Sequence, residues 1–298
     1  MPELLDVGDG QQIYWREYGS PFGVPALVLH GGPGSGSTPQ MRFFFDATAF
    51  RIVTFDQRGC GWSTPSAAAS LDHNTTDDLV ADIEGLRVHL GVDRWVIYGV
   101  SWGTVLGVAY AQRFPGSVKA MVLSGVATGR PSEIDWLYGP AGIALTMPVE
   151  YAEFVHGIDG DPVLAYRDLL ADPSTRVAAA RRWTTWDWVT ASSDGPREPT
   201  GRWADPAMQL ARARICTHYF ANNCFIDADA HLAGVAALGG IPATLVNGRV
   251  DLQTPLDGAV ELHKRWPGSE LVVVDDAGHS TADAGMFEAI YAATTKYA

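Results

Sequence analysis

The 298-residue chain is short of positive charge, of cysteine and of long apolar runs, and each shortage removes a class of protein. Lysine and arginine total 21 against 34 aspartates and glutamates, a formal net charge of −13. That balance excludes the basic groove a nucleic acid needs and the basic face an anionic membrane attracts; its plain consequence is solubility. The three cysteines, Cys60, Cys216 and Cys224, form no C-x-x-C pair, and their odd number does not suit a disulfide framework. Reduced thiols in a cytoplasm are expected. No stretch reaches the roughly 18 uncharged apolar residues that cross a bilayer. The opening Met1-Pro2-Glu3-Leu4-Leu5-Asp6 lacks the basic and apolar regions of an export signal. The expectation is a soluble, unexported, cytoplasmic protein. A phosphate-binding G-x-x-x-x-G-K-[ST] is also missing, and the glycine-rich loop that is present, Gly31 to Thr38, contains no lysine.

What is present is a recurrent short, β-branched, apolar run. Ala26 to His30, Arg51 to Phe55, Trp95 to Tyr98, Ala120 to Leu123, Ala243 to Val246 and Leu271 to Val274 are such runs, separated by helical patterns. Continuous apolar strands alternating with helices are what a mostly parallel sheet covered on both faces requires. The segment Asp77 to Leu90 has the helical period, with Leu79, Ile83, Leu86 and Leu90 on one side, Thr75 or Thr76 placed to cap it and Gly91 to end it. Between about 128 and 240 the strand signals stop. Alanine, tryptophan and arginine dominate in Val177 to Val189 and Met208 to Phe220. The chain therefore divides into an α/β core, residues 1–127 and 241–298, and a helical insertion, 128–240. The polar stretch Ser192 to Pro199 suits a connection between helices of that insertion.

A lone serine stands in the turn Gly99-Val100-Ser101-Trp102-Gly103, between a strand and a helix. Small flanking residues permit the sharp turn that lifts a serine Oγ clear of the backbone. A hydroxyl is a poor nucleophile without a base, and the base needs a third group to orient it. Asp251 and His279 each follow a late strand, in the loops where open α/β sheets build their sites. Asp275 and Asp276 are rival acids, but they lie too close to His279 along the backbone. The other seven histidines lack the combination of strand end and late position. Donors for an oxyanion would be the Trp102 N–H and an amide of His30-Gly31-Gly32-Pro33-Gly34, that of Gly32.

Taken together, these motifs make the chain resemble the proline iminopeptidase family of α/β-hydrolases. The resemblance rests on His30-Gly31-Gly32-Pro33-Gly34, Asp56-Gln57-Arg58-Gly59-Cys60-Gly61-Trp62-Ser63, the Ser101 turn, Gly248-Arg249-Val250-Asp251 and Gly278-His279. Also included are Asn74-Thr75-Thr76 and Leu79 to Glu84, so it spans nearly the whole chain. It implies an α/β-hydrolase core with an inserted helical cap, no metal or organic cofactor, and release of an N-terminal residue, often proline. It also implies that Asp56 and Arg58 are structural, pairing in the loop after a strand.

The departures concern substrate recognition. Members of this family carry a glutamate after W-x-x-W and a second in an A-R-I-E-N-H-Y-F-like stretch, which hold the substrate's α-ammonium. Here Trp183-Thr184-Thr185-Trp186 is followed by Asp187, and the second glutamate is replaced by Cys216. Losing one charge-assisted hydrogen bond, worth roughly 1.5–3 kcal/mol, weakens amine recognition unless Glu150, Asp227 or Gln253 rebuilds it. Ala127 falls where the family often has a larger aromatic, so a roomier acyl pocket is expected, with Trp136, Tyr138, Trp183, Trp186 and Trp188 as candidate linings.

The expected activity is hydrolysis of an amide, releasing a small N-terminal amino acid from a small molecule or short peptide with a free amine. Alternatives are an aminoacyl amidase acting on a natural-product amide and a general carboxylesterase. A non-catalytic binding protein on the same fold would have no need of Ser101, Asp251 and His279 together.

Overall fold

A computed structural model describes residues 3–191 and 197–298; residues 192–196 of the expected cap connection lie outside the described residues. Eight strands form one sheet: β1 (Glu3–Asp6), β2 (Gln12–Gly19), β3 (Val24–Leu29), β4 (Phe50–Phe55), β5 (Trp95–Val100), β6 (Val118–Ser124), β7 (Ala243–Gly248) and β8 (Glu270–Val274). Their order is β1-β2-β4-β3-β5-β6-β7-β8. β1 pairs with β2 and β2 with β4 antiparallel, and the remaining pairs are parallel. The six apolar runs read from sequence are β3 to β8. β1 and β2 were not among them: β1 is exposed at the sheet edge, and β2 mixes Arg16 and Glu17 with its buried Ile13, Tyr14 and Trp15.

The period of two along each strand sorts side chains to opposite faces. Leu27 and Leu29 of β3 join Ile97 and Leu123 under helices α1 (Thr76–His89), α2 (Trp102–Arg113) and α9 (Leu256–Arg265). Ala26 and Val28 point the other way, with Tyr98 and Val122, to meet Met286, Ile290 and Ala293 of α10 (Met286–Thr295). Burial on both faces is why the strands read as unbroken apolar runs. α1 begins on a capping box, Thr75 accepting from the Asp78 N–H while the Asp78 carboxylate accepts from Thr75.

Between β6 and β7 the described residues are helical: α3 (Pro131–Tyr138), α4 (Pro148–Phe154), α5 (Pro162–Ala171), α6 (Arg176–Ala191), α7 (Pro206–Ala221) and α8 (Ala228–Gly234). This region has its own core, in which Tyr138, Phe154, Tyr166, Trp183 and Trp186 stack on one another. Trp183 and Trp186, candidate pocket linings from sequence, are core residues of the cap. The reason is bulk: each removes more apolar surface from water by packing among rings than by edging a small cavity.

Candidate active site

β5 runs directly into α2, and Ser101 occupies the corner with φ 55° and ψ −123°, a strained backbone for a residue with a side chain. The flanking glycines are required by close approach. A Cβ on Gly99 would lie 2.4 Å from the Gly103 carbonyl oxygen, and one on Gly103 would lie 2.2 Å from that of Leu29. The strain is held by the Ser101 N–H on the Ser124 carbonyl, 2.9 Å, and by Thr104, whose Oγ1 donates to the Ser101 carbonyl at 2.7 Å. Trp102 is the first residue of α2, where a backbone N–H has no intrahelical acceptor.

Asp251 sits after β7 and His279 after β8. The Asp251 Oδ2 is 2.9 Å from His279 Nδ1 and its Oδ1 3.1 Å. The carboxylate is positioned by neutral donors: the N–H groups of Gln253 and Thr254 on Oδ1, both 2.9 Å, and Thr254 Oγ1 on Oδ2 at 2.7 Å. Burial alone would push the His279 imidazolium down. The Asp251 charge and its hydrogen bond outweigh burial, and the imidazole lies above its ordinary value of 6.5. With Nδ1 facing Asp251, Nε2 remains as the basic nitrogen. Ser101 and His279 line the same cavity, about 400 Å³, with Gly31 and Gly32 on its wall.

Three residues that sequence reasoning did not single out hold this arrangement. Thr254 bridges Asp251 and His279, its Oγ1 also 3.1 Å from Nδ1. Gly125 follows β6, and a Cβ there would meet the His279 ring at 3.0 Å, so a side chain would displace the base. Gln57 ties the two oxyanion elements together: its Nε2 donates to the His30 carbonyl, 3.0 Å, and its Oε1 accepts from the Trp102 indole, 3.0 Å. The Gln57 N–H donates to His30 Nε2 at 3.1 Å, which leaves Nδ1 to donate to the Gly31 carbonyl. Burial pushes His30 down to about 4, so it serves as a neutral brace under the loop. Only the short range signal of the D-Q-R-G run could have marked Gln57, since its partners lie 27 and 45 residues away.

Asp56 and Arg58 do not pair with each other, contrary to the sequence expectation. Arg58 makes a bidentate pair with Asp82 of α1, 2.7 and 2.8 Å, while Asp56 accepts from Ser37 and the Trp62 N–H. Their side chains leave the strand end in different directions, so each finds a partner elsewhere. Both are structural.

A second, smaller compartment of about 70 Å³ also meets Ser101, lined by Gly32, Trp102, Val105, Ala127, Ile134, Leu137, Tyr138, Asp187, Arg212, Phe220, Gln253 and others. Ala127, Tyr138, Asp187 and Gln253 are thus brought to the site. Cys216, Trp136, Glu150 and Asp227 are not. Cys216 is fully buried beneath the loop, its thiol 3.2 Å from the Pro33 carbonyl, and burial pushes that thiol up to about 12, so it stays neutral. Trp136 turns away to donate to the Leu252 carbonyl. Glu150 pairs with Arg197 over a different cavity, and Asp227 caps α8. Gln253 is a strut: its Nε2 donates to the Asp187 carbonyl and to Thr190 on α6.

Asp187 differs most from expectation. Its Oδ1 accepts from Tyr138 at 3.0 Å and its Oδ2 from Arg212 Nη1 at 2.5 Å, both acid and guanidinium being nine-tenths buried. The carboxylate read from sequence as open to an ammonium already has a cation on it. Arg212 had not been singled out, because its partner lies on another helix, 25 residues away.

A core sheet with this connectivity, a strained serine at the end of β5 and a histidine three strands on, held by a carboxylate from the strand between, define a hydrolase of the α/β class. The chain belongs to the alpha/beta hydrolase fold family, whose family model matches residues 25–284. Within it the chain belongs to the proline iminopeptidase family, and curated relatives of that name include the following. A probable proline iminopeptidase of Streptomyces coelicolor is 46% identical, over 99% of this chain and 94% of its own length. The proline iminopeptidase of Neisseria gonorrhoeae is 42% identical over 96% and 92%, and that of Arabidopsis thaliana 43% over 98% and 78%. Solved structures share the fold: a bromoperoxidase from Bacillus anthracis superposes with TM-score 0.69 at 16% identity, over 100% of this chain and 99% of that one. An esterase from Exiguobacterium antarcticum superposes at 0.66 and 18%, over 100% and 99%. The protein is a hydrolase. No helix among the described residues is long and apolar enough to cross a membrane.

Proposed function

We propose that this chain is a serine hydrolase of the proline iminopeptidase type, cleaving the amide bond behind a small N-terminal residue. The observation that carries the reading is the meeting of strained Ser101, Asp251-held His279 and the Gly31-Gly32 loop at one cavity. Ser101 Oγ attacks the carbonyl carbon as His279 Nε2 takes its proton, and the N–H groups of Trp102 and Gly32 receive the oxyanion. Collapse breaks the C–N bond, and His279 returns the proton to the leaving nitrogen. Water, deprotonated by the same base, then frees the acyl group from Ser101.

His279 lines the larger compartment, which therefore suits the leaving amine, and the smaller one suits the acyl group. The size of the leaving side supports a second reading as well, an amidase releasing a non-peptide amine. The three unpaired, buried thiols support a reducing, cytoplasmic setting. Aminoacyl arylamides and short aryl esters test the reading, with a fluorophosphonate as a label for the nucleophile. Turnover that disappears in Ser101→Ala, with labelling lost in the same variant, is expected; turnover at the native rate in Ser101→Ala would overturn it.

A further inference from the structure

The two compartments that meet at Ser101 differ in the sign of their walls. The smaller has Glu133, Asp187 and Arg212, two carboxylates against one guanidinium. Asp187 and Arg212 pair with each other. Glu133 is hydrogen-bonded only by uncharged groups, the Thr128 and Gly129 N–H and the Thr128 hydroxyl, so its charge persists. Arg130 lies 3.6 Å from Glu133 but is committed to Glu261 and does not line the compartment. The larger compartment has Asp187 and Arg212 again, and the charge it adds is Arg202. The acyl end of the site is therefore negative and the leaving end positive.

Arg202 is loosely held. It stands in the short turn Gly201–Ala204 before α7 and is exposed, and its Nη1 and Nη2 reach the Ser37 and Gly36 carbonyls only at 3.3 and 3.4 Å. It makes no ion pair among the described residues. Asp56 acts on it through the loop, but that carboxylate is buried, accepts from Ser37 and the Trp62 N–H, and lines neither compartment. Arg202 and Arg212 lie over the same indole, 5.2 and 5.1 Å from a Trp203 ring centroid. Arg212 spends Nη1 on Asp187 and Nε on Ser35. Two guanidiniums against one ring repel each other, and an anion in their compartment offsets that repulsion.

Three kinds of leaving group can be compared there. A neutral amine can stack on Trp203 but leaves the Arg202 fork without an acceptor. A long peptide carries its terminal carboxylate out past the mouth, because each extended residue adds about 3.3–3.6 Å. An amino acid or short peptide brings a carboxylate into a compartment of about 400 Å³, where a guanidinium fork can take both oxygens.

We propose that Arg202 captures the free C-terminal carboxylate of the leaving amino acid or short peptide, so that the preferred substrates are zwitterionic di- and tripeptides. This rests on the reading of Ser101 as the nucleophile of an enzyme that releases a free N-terminal residue. The ammonium end of such a peptide faces the wall of Glu133 and Asp187 and its carboxylate end faces Arg202, so the substrate lies along the field of the site. The chemistry is unchanged: the C–N bond breaks, His279 protonates the leaving nitrogen, water frees the first residue, and the departing piece keeps its carboxylate.

The test compares kcat/KM of the native protein on Pro-Gly, Ala-Ala and Ala-Ala-Ala with that on the same peptides as C-terminal amides. The acids are expected to exceed the amides by about tenfold or more, the worth of one charge-assisted hydrogen bond. A general field effect would act the other way, since the chain's net charge of −13 repels an anion. In Arg202→Gln the ratio should fall to near one. Acids and amides cleaved alike by the native protein, or an Arg202→Gln variant with the native ratio, overturn the inference. Should Arg202→Gln fail to fold, the native panel decides alone. Prolyl 4-nitroanilide, which has no carboxylate, and fluorophosphonate labelling separate the two readings. A labelled protein that cleaves the anilide but treats acids and amides alike overturns only this one, and a protein neither labelled nor active on any of these compounds overturns both.

Discussion

Asp251 on the core and Asp187 on the cap are both buried carboxylates, the first behind His279 and the second on the wall of the cavity around Ser101, yet they are held in different ways. Asp251 takes its hydrogen bonds from two backbone N–H groups and a threonine hydroxyl, none of which carries charge. Its negative charge therefore remains to act on His279, and the raised imidazole is the result. Asp187 is held by a guanidinium. Its charge is spent inside the wall, leaving directional hydrogen-bonding capacity and little field. The lesson is that a buried acid's function is set by whether its donors are neutral or charged.

The sharpest way to break this contrast is kinetic. Ser101→Ala should remove turnover by at least about a thousandfold, and Asp251→Asn should lower kcat by about 10⁴-fold through the wrong imidazole tautomer. Steady-state rates on a reactive anilide check both. Asp187→Asn should change substrate preference more than it changes kcat on a well-accepted substrate.

A pH profile sharpens the same comparison. His279 must be neutral to take the Ser101 proton, and its raised pKa keeps it charged further up the scale. kcat/KM should therefore fall about tenfold per pH unit below a midpoint above 6.5. In Asp251→Asn burial is unopposed, and the midpoint of the residual activity should drop. A midpoint that does not move would mean that Asp251 does not set the base.

Stability separates the two acids next. Removing one partner of the buried cap pair, as in Asp187→Ala, should cost about 3–5 kcal/mol in urea unfolding, while Asp187→Leu with Arg212→Met should cost much less. Equal losses in the single and double variants would show that the pair is not coupled. Smaller effects belong to the backbone. Gly103→Ala forces a Cβ onto the Leu29 carbonyl and should cost about 1–3 kcal/mol. Loss of the α1 cap in Thr75→Ala should cost about 1 kcal/mol, read as a shift in the thermal midpoint.

Core and cap also differ in how far they were legible. β3 to β8 show in the chain because burial on both faces demands unbroken apolar runs, whereas β1 and β2 have an exposed face and no such run. Ser101, Asp251 and His279 were legible because each lies at a strand end, where local turn chemistry and chain order narrow the choice. Thr254 and Gly125 were not, since an adjacent threonine or glycine gains meaning only when the imidazole is placed beside it. In the cap, Trp136, Tyr138, Trp183, Trp186 and Trp188 looked alike as candidate linings, and helical periodicity could not say which faced the cavity.

By itself, then, the sequence determined the alternation that builds the sheet, the serine turn whose glycines admit close backbone approach, and the residue types that do the chemistry. These are local properties of spacing and side-chain size. The tertiary structure alone decided that Arg212 reaches Asp187 across two helices, that Cys216 withdraws under Pro33, and that Arg58 pairs with Asp82 and not with Asp56. A buried charge takes whatever partner the packing brings within hydrogen-bond reach, and that distance is not written along the chain.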